Sequence, residues 1–414
     1  MSGRVITPQD CHALINAVVK EVTGQKSTIQ AIDTSSFVSA GETALAHGTE
    51  NTMNALGIVL TKRIIAITKL SPDFALIDSS NSDLFAQIMS KIKYYTREAV
   101  ASGDWNTQLY EENLKEGAEN TSATKAVGSQ WEQHRAVPLE YSFAGMNVWQ
   151  HCITRDEEAL KVAFANESNF AAFVSGIMQS VMNEITLQKS AYNRFTALNY
   201  IAGIYDMGSD MQGSVVNLTK EFNDKFGTSY TSAELRSTYL DEFLKFMVSK
   251  IKEMSDMMAK PTNLFHWTPT KVGYTLIQET SKEDQRLFLF EPLIRDAESW
   301  VLPLVFNERY LDMPNFEPVE YWQNPNDKGM IKISPAIPNT ANPAEQKKGS
   351  EVNTFVVGCL FDKNACTIQH KLEKARTTPV EARKGYMNTW FTFARNSLND
   401  FTYKGIIFVM EDPS

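Results

Sequence analysis

Residues 166–195 read NESNFAAFVSGIMQSVMNEITLQKSAYNRF, and one stripe of that stretch decides the fold. Phe170, Phe173, Val174, Ile177, Met178, Val181, Met182 and Ile185 recur at three- and four-residue steps. That spacing puts them on one face of a long amphipathic helix, buried along a single stripe. Asn166 or Ser168 supplies the cap at its start, and the pattern continues through Tyr192 and Phe195. Such a helix alone is compatible with any mixed α/β core.

Upstream, Thr154-Arg155-Asp156-Glu157 has capping-box spacing and predicts a short helix to about Phe164. Val137, Leu139, Tyr141 and Phe143 alternate with Pro138, Glu140 and Ser142. Residues 88–97 alternate more loosely, with Ile88, Ile92 and Tyr94 on one side and Lys91, Lys93 and Arg97 on the other. Both read as half-exposed strands. Between them lies a polar insertion in which residues 111–130 hold only Leu114 and Val127 as large aliphatics. The insertion reads as a projecting loop that packs outside its own subunit, or as a disordered surface segment. Residues 55–67 read as helix then strand, closed by Pro72. Before them, Leu14, Ile15, Val18 and Val19 share a face of a short helix, and the Ser/Thr/Gly/Ala-rich residues 34–49 have little to bury. The first 50 residues therefore read as an arm, its second half extended or ordered only by neighbours.

Downstream, residues 215–258 predict two helices. Gly227 ends the first, Thr231-Ser232-Ala233-Glu234 opens the second, and Pro261 stops it. Leu235, Tyr239, Phe243, Phe246, Met247, Ile251 and Met254 line its buried face. Short strands follow at residues 273–278, 287–290, 301–306 and 352–361. Residues 323–350 read as a surface loop without periodicity. Ile406-Ile407-Phe408-Val409-Met410 closes the chain as a buried strand.

Composition narrows the function classes. The 414 residues imply two or three compact regions, and 43% hydrophobic with 21% charged residues is ordinary for a chain with a sizeable core. Net charge is −9, the wrong sign for a dedicated nucleic-acid binder. The N-terminus lacks signal-peptide features and no apolar run reaches spanning length, which predicts a chain made in the cytoplasm with no membrane partner. Cys11, Cys152, Cys359 and Cys366 are few and scattered, as for free thiols in a reducing compartment. Aromatics are plentiful, including Trp300, Tyr310, Tyr321, Trp322, Tyr386, Trp390, Phe391 and Phe393. A core takes most of these, and large subunit interfaces take a surplus.

Local chemical motifs are missing. The chain has no phosphate-binding G-x-x-x-x-G-K-[ST] loop, no G-x-G-x-x-G, no H-E-x-x-H and no G-x-S-x-G elbow. Cys359 and Cys366 have no second pair for a structural zinc. Cys11-His12 on a helix and His151-Cys152 after a strand are sequence neighbours whose side chains diverge, so neither makes a nucleophile–base pair. Asp206-Met207-Gly208-Ser209-Asp210 lacks the closing Glu of a calcium loop and reads as a turn. Glu111-Glu112 and Glu157-Glu158 read as solvated charges. No catalytic, cofactor-binding or metal-ligating residue is assigned.

Two stretches carry a family resemblance. One runs from Pro138-Leu139-Glu140-Tyr141-Ser142-Phe143 through Val148-Trp149-Gln150-His151 and Leu160-Lys161-Val162-Ala163-Phe164 into the 170–185 stripe. The other holds Phe361-Asp362-Lys363-Asn364-Ala365, then residues 378–390 (TPVEARKGYMNTW), then Gly405-Ile406-Ile407-Phe408. Together with the order of elements, they resemble the Hong Kong 97-type major capsid proteins of tailed phages, in particular those of small short-tailed phages. The resemblance covers residues 55–414 and rests on packing patterns. It implies an α+β fold and a structural protein, not an enzyme. The implied domains are an N-terminal arm (1–54), a first part of a peripheral domain (55–70), an extended loop (71–148) and the peripheral domain with its spine helix (149–200). An axial domain (201–350) and a return to the peripheral domain (351–414) complete it. Implied partners are further copies in pentamers and hexamers, scaffold and portal proteins, and double-stranded DNA enclosed without sequence-specific binding. Alternatives compatible with the sequence are a portal subunit, for which only residues 232–259 offer a stem, and a cytoplasmic enzyme whose site has no local motif.

Overall fold

The computed structural model describes residues 8–24, 30–67, 73–79, 88–95, 137–144, 147–269, 276–300, 316–339 and 345–412. In chain order, helices α1 (Pro8–Val22), α2 (Thr34–Ala46) and α3 (Thr49–Ile67) precede strands β1 (Asp78–Ser79), β2 (Ile88–Tyr94), β3 (Pro138–Ala144) and β4 (Asn147–Asp156). Helices α4 (Glu157–Ala163) and α5 (Glu167–Asp206) follow, then β5 (Val215–Asn217), α6 (Leu218–Phe226), α7 (Ser232–Leu235) and α8 (Leu240–Met258). Next come β6 (Gln285–Phe290), α9 (Glu291–Trp300), β7 (Phe316–Val319), β8 (Met330–Ile333), β9 (Ala336–Pro338) and β10 (Gln346–Lys348). Strands β11 (Val352–Asp362), β12 (Cys366–Thr377), β13 (Tyr386–Asn399) and β14 (Gly405–Met410) close the chain.

The chain divides into two units. The first holds Met1–Gln87, Ala144–Leu198 and Cys366–Asn399, and the second holds Ile88–Phe143, Asn199–Ala365 and Asp400–Ser414. Strands β12 and β13 belong to the first unit, β11 and β14 to the second.

In the first unit, the stripe of α5 is buried as its spacing dictates, with Phe170, Val174, Ile177, Val181 and Ile185 all in the core. Asn166 is the cap, its Oδ1 accepting the Asn169 N–H at 2.7 Å. Part of the same core is a four-stranded sheet of order β1-β12-β13-β4. Strand β13 alternates by two, burying Met387, Phe391 and Phe393 and leaving Trp390 38% exposed. The sequence reading missed β12 and β13 as strands, because polar and charged residues interrupt their apolar positions.

The N-terminal segment differs most from expectation. Residues 34–46 form a helix instead of an extended arm, and α1, α2 and α3 share the core of α5 through Ile15, Val18, Phe37, Ala40, Ala44 and Leu56. Small residues have little of their own to bury. They permit close approach instead: a Cβ on Gly41 would lie 3.0 Å from the Phe164 side chain. Asp33 caps α2 by accepting the Ser36 N–H at 2.8 Å, and Thr52 Oγ1 donates to the Ala44 carbonyl at 2.7 Å. Residues 55–67 are helix throughout, not helix then strand. The Thr154 capping box also fails. Strand β4 pairs with β13 as far as Asp156, Thr154 Oγ1 donates to Asn388 Oδ1 at 2.7 Å, and the helix starts at Glu157.

The second unit is built on a sheet of order β5-β14-β11-β6-β7, with β8 also paired to β11. Every residue of β14 is buried. A continuous apolar run is what a strand covered on both faces requires. Helix α6 ends at Gly227, whose φ of +66° is left-handed and free of strain without a Cβ. The Thr231–Glu234 capping box forms, but the helix it opens stops at Leu235 and resumes at Leu240. Helix α8 buries Phe243, Phe246, Met247, Ile251 and Met254. Residues 323–350 are more than a surface loop: β8, β9 and β10 lie there, and Ile331 and Ile337 are buried. Strands of three or four residues are too short to show a period. Just before them Trp322 is buried, its Nε1 donating to the Val356 carbonyl at 2.8 Å. Of the strand expected at 273–278, residues 273–275 lie outside the described residues, and Gln278 bridges Thr262. Strands β2 and β3 pair with each other. Residues 111–130 and the strand expected at 301–306 lie outside the described residues.

Candidate functional site

The structure separates the sequence neighbours that could have suggested catalysis. His12 Nε2 faces Glu167 Oε1 at 2.7 Å, while buried Cys11 points its Sγ at the Glu167 carbonyl, 3.9 Å away. Burial pushes the Cys11 thiol up, opposite to what a nucleophile needs. His151 stands opposite Phe391 and Cys152 opposite Trp390, on alternate faces of the sheet, and burial raises the Cys152 thiol as well. Cys359 and Cys366 are free and buried. Asp206 ends α5 and accepts the Ser350 N–H at 3.3 Å. Glu157 pairs with Lys161 at 3.0 Å across one helical turn. Glu111 and Glu112 lie outside the described residues. Among the described residues no group of three His, Cys, Asp or Glu stands where it could hold a metal ion. No helix among them is long and apolar enough to cross a membrane.

The densest polar constellation lies elsewhere, in the second unit, where β2 meets the turns after β11 and β13. Successive strand residues point to opposite faces, so Lys91 and Lys93 share one face while Ile92 and Tyr94 share the other. The lysine face is the inner one. Lys93 is 9% exposed, and its Nζ donates to the Thr402 carbonyl at 2.9 Å and to Thr402 Oγ1 at 2.8 Å. Its ammonium also sits 3.2 Å from the centre of the Tyr403 ring. Lys91 Nζ donates to the Asn364 carbonyl at 2.7 Å and pairs with Asp400 at 3.4 Å. Burial pulls Lys93 down to about 8 and pushes the Tyr403 phenol up to about 12. Nearby, fully buried Lys404 caps the end of α8 by donating to the Met258 carbonyl at 3.1 Å and the Lys260 carbonyl at 2.7 Å. The sequence held one local sign of this cluster, two lysines two residues apart in a strand. Asp400, Thr402 and Tyr403 join it only through the fold.

The other face of β2 is apolar and exposed. Ile92 is 58% exposed and Tyr94 61% exposed. A strand normally keeps its apolar side inward; here the charged side is inward and the apolar side meets solvent. Sheet β1-β12-β13-β4 has a comparable outer face, where Trp390 lies opposite Cys152.

Comparison with known proteins identifies the family. The family model described as "Phi29-like phage major capsid protein" matches residues 145–408. No curated protein matches in sequence. Among solved structures, the capsid of Staphylococcus phage Andhra is similar at 7% identity and a TM-score of 0.48, covering 83% of this chain and 84% of that one. The phage PhiM1 mature capsid is similar at 6% identity and a TM-score of 0.39, covering 83% and 88%. The capsid of cyanophage P-SCSP1u is similar at 10% identity and a TM-score of 0.38, covering 82% and 88%. The α+β architecture is consistent with the Hong Kong 97-type fold that the sequence resembles. Matched over more than half of its length, the chain belongs to the Phi29-like phage major capsid proteins and is a structural subunit of a phage capsid.

Proposed function

We propose that the subunit assembles with further copies of itself, as pentamers and hexamers, into an icosahedral shell that encloses double-stranded DNA. The observation that carries this reading is the outward apolar face of Ile92 and Tyr94 on β2, beside the polar insertion that β2 leads into. A strand that turns its lysines inward and its apolar side outward is shaped for burial against a second subunit. In this reading, the first unit is the peripheral domain with its spine α5, the second unit supplies the axial domain, and residues 71–148 form the extended loop that lies over a neighbour. Closed symmetry turns modest pairwise contacts into a stable shell through multivalency. The acidic net charge of −9 suits a wall that contains DNA without gripping it. The protein carries out no chemical step; it is made in the host cytoplasm and meets scaffold and portal proteins during assembly.

Electron microscopy of the purified protein, with a scaffold protein where assembly needs one, tests the reading. Closed shells are expected. Rings of about a dozen subunits would point to a portal instead, and small particles under every condition to neither. Deleting residues 111–130 is expected to leave a folded subunit that fails to form shells.

A further inference from the structure

Beyond its pairing with β3, strand β2 reaches the rest of its unit through two charged side chains. Its two lysines reach two turns, at residues 363–365 and 400–403, while its apolar side chains Ile92 and Tyr94 face away. The setting of Lys93 is unusual for a buried ammonium. Both its hydrogen-bond acceptors, the Thr402 carbonyl and hydroxyl, are neutral. The nearby carboxylates are engaged elsewhere. Asp400 Oδ1 accepts the Thr402 N–H at 3.0 Å and the Thr402 hydroxyl at 2.6 Å, and Asp400 Oδ2 faces Lys91. Asp362 accepts the Thr280 hydroxyl at 2.8 Å and the Asn364 N–H at 2.8 Å. A buried ammonium without its own carboxylate loses more solvation than neutral acceptors restore.

We propose that β2 is a releasable strand: the burial of Lys93 loads the anchored state, so β2 lifts from the 362–404 turns without opening the sheet around β14. This goes beyond the assembly reading and does not depend on it, because the device lies within one subunit. Release exposes the ammonium to water. The central sheet keeps its own buried strands.

The charge balance gives the device a direction with pH. The groups facing Lys93 are Asp400, Asp362 and Tyr403 from the two turns, Lys91 on its own strand, and His266 from the segment after α8. Burial, partly offset by Asp400 and Asp362, lowers Lys93 from 10.5 to about 8 when anchored. Burial lowers Lys91 in the same direction. An anchored state that binds its proton more weakly than the released state is favoured as pH rises between these values and disfavoured as pH falls. Between pH ~7 and ~9, Tyr403, raised to about 12, keeps its proton, and His266, held below 6.5 by burial, stays neutral.

Hydrogen exchange of the purified full-length subunit, corrected for intrinsic exchange rates, tests this. Opening of residues 88–95 is expected to fall roughly tenfold from pH ~7 to ~9, while residues 405–410 stay protected at both. Lys93→Met is expected to leave only the smaller pH dependence that Lys91 contributes and to lower the opening at pH ~7. Opening of 88–95 that is independent of pH in the parent protein would overturn the proposal, whether or not the variant folds. So would a Lys93→Met variant that opens more than the parent at pH ~7, because Lys93 would then be a pin and not a load.

Discussion

Strands β14 and β2 lie in the same unit and answer the same hydrophobic rule in opposite ways. In β14 every side chain is buried, and the run Ile406-Ile407-Phe408-Val409-Met410 announces it. In β2 the apolar side chains Ile92 and Tyr94 are exposed and the lysines are inside. The difference teaches what a hydrophobic pattern measures. It reports which side chains leave water in the finished assembly, and for a shell subunit part of that burial happens between copies. Strand β14 is buried by its own chain, so its pattern and its environment agree. In the proposed assembly, strand β2 presents to a neighbour what a monomeric protein would keep for itself.

The sharpest way to break this comparison is to place the same charge on both strands. Ile407→Asp puts a carboxylate at a site with 0% exposure and is expected to destabilise the subunit by at least ~4 kcal/mol, enough to prevent stable folding. Ile92→Asp is expected to change subunit stability by less than ~1 kcal/mol, measured by denaturant unfolding under non-assembling conditions. If the Ile92 variant unfolded as readily as the Ile407 variant, β2 would be a core strand and the contrast would vanish.

Legibility followed the same division. The stripe of α5, the Gly227 stop, the Thr231 capping box and β14 were all readable, because each depends on residues close in sequence or on complete burial. Strands β12 and β13 were not, since they gain stability from pairing with each other and with β1 and β4 over long separations. Helix α2 was misread for a third reason. Small side chains look like a poor core until the partner that fills their groove, here Phe164 against Gly41, is known. The lysine cluster under β2 shows in sequence only as two lysines two apart, because Asp400 and Tyr403 lie some three hundred residues downstream.

Two helical glycines sharpen the point about small residues. Gly41→Ala pushes a methyl against Phe164 and is expected to cost about 1–3 kcal/mol. Gly176 in α5 has open space around its missing Cβ, so Gly176→Ala is expected to stabilise by up to ~1 kcal/mol through helix propensity. Thermal unfolding of the two variants should therefore shift in opposite directions. Equal destabilisation would mean that α2 gains nothing from its close approach.

The smallest effect concerns exposed carboxylates that hold helix starts. Asp33 accepts the Ser36 hydroxyl and N–H, Glu234 the Thr231 N–H and Asp412 the Ser232 N–H, and these bonds hold all three below their ordinary values. A carboxylate whose folded value is depressed adds stability above its ordinary value and loses it as pH falls through the folded value. A modest decline in stability is expected below pH ~4, and Asp412→Asn should blunt it slightly. A pH titration of the unfolding midpoint reads both.

The central claim is that this chain works through subunit contact, with the outward face of β2 among its contact surfaces. Electron microscopy of the parent protein and of Ile92→Asp, side by side at equal concentration, tests it most directly. The account predicts closed shells from the parent and folded, unassembled subunits from the variant. Normal shells from Ile92→Asp, or no shells from the parent with its scaffold present, would contradict it.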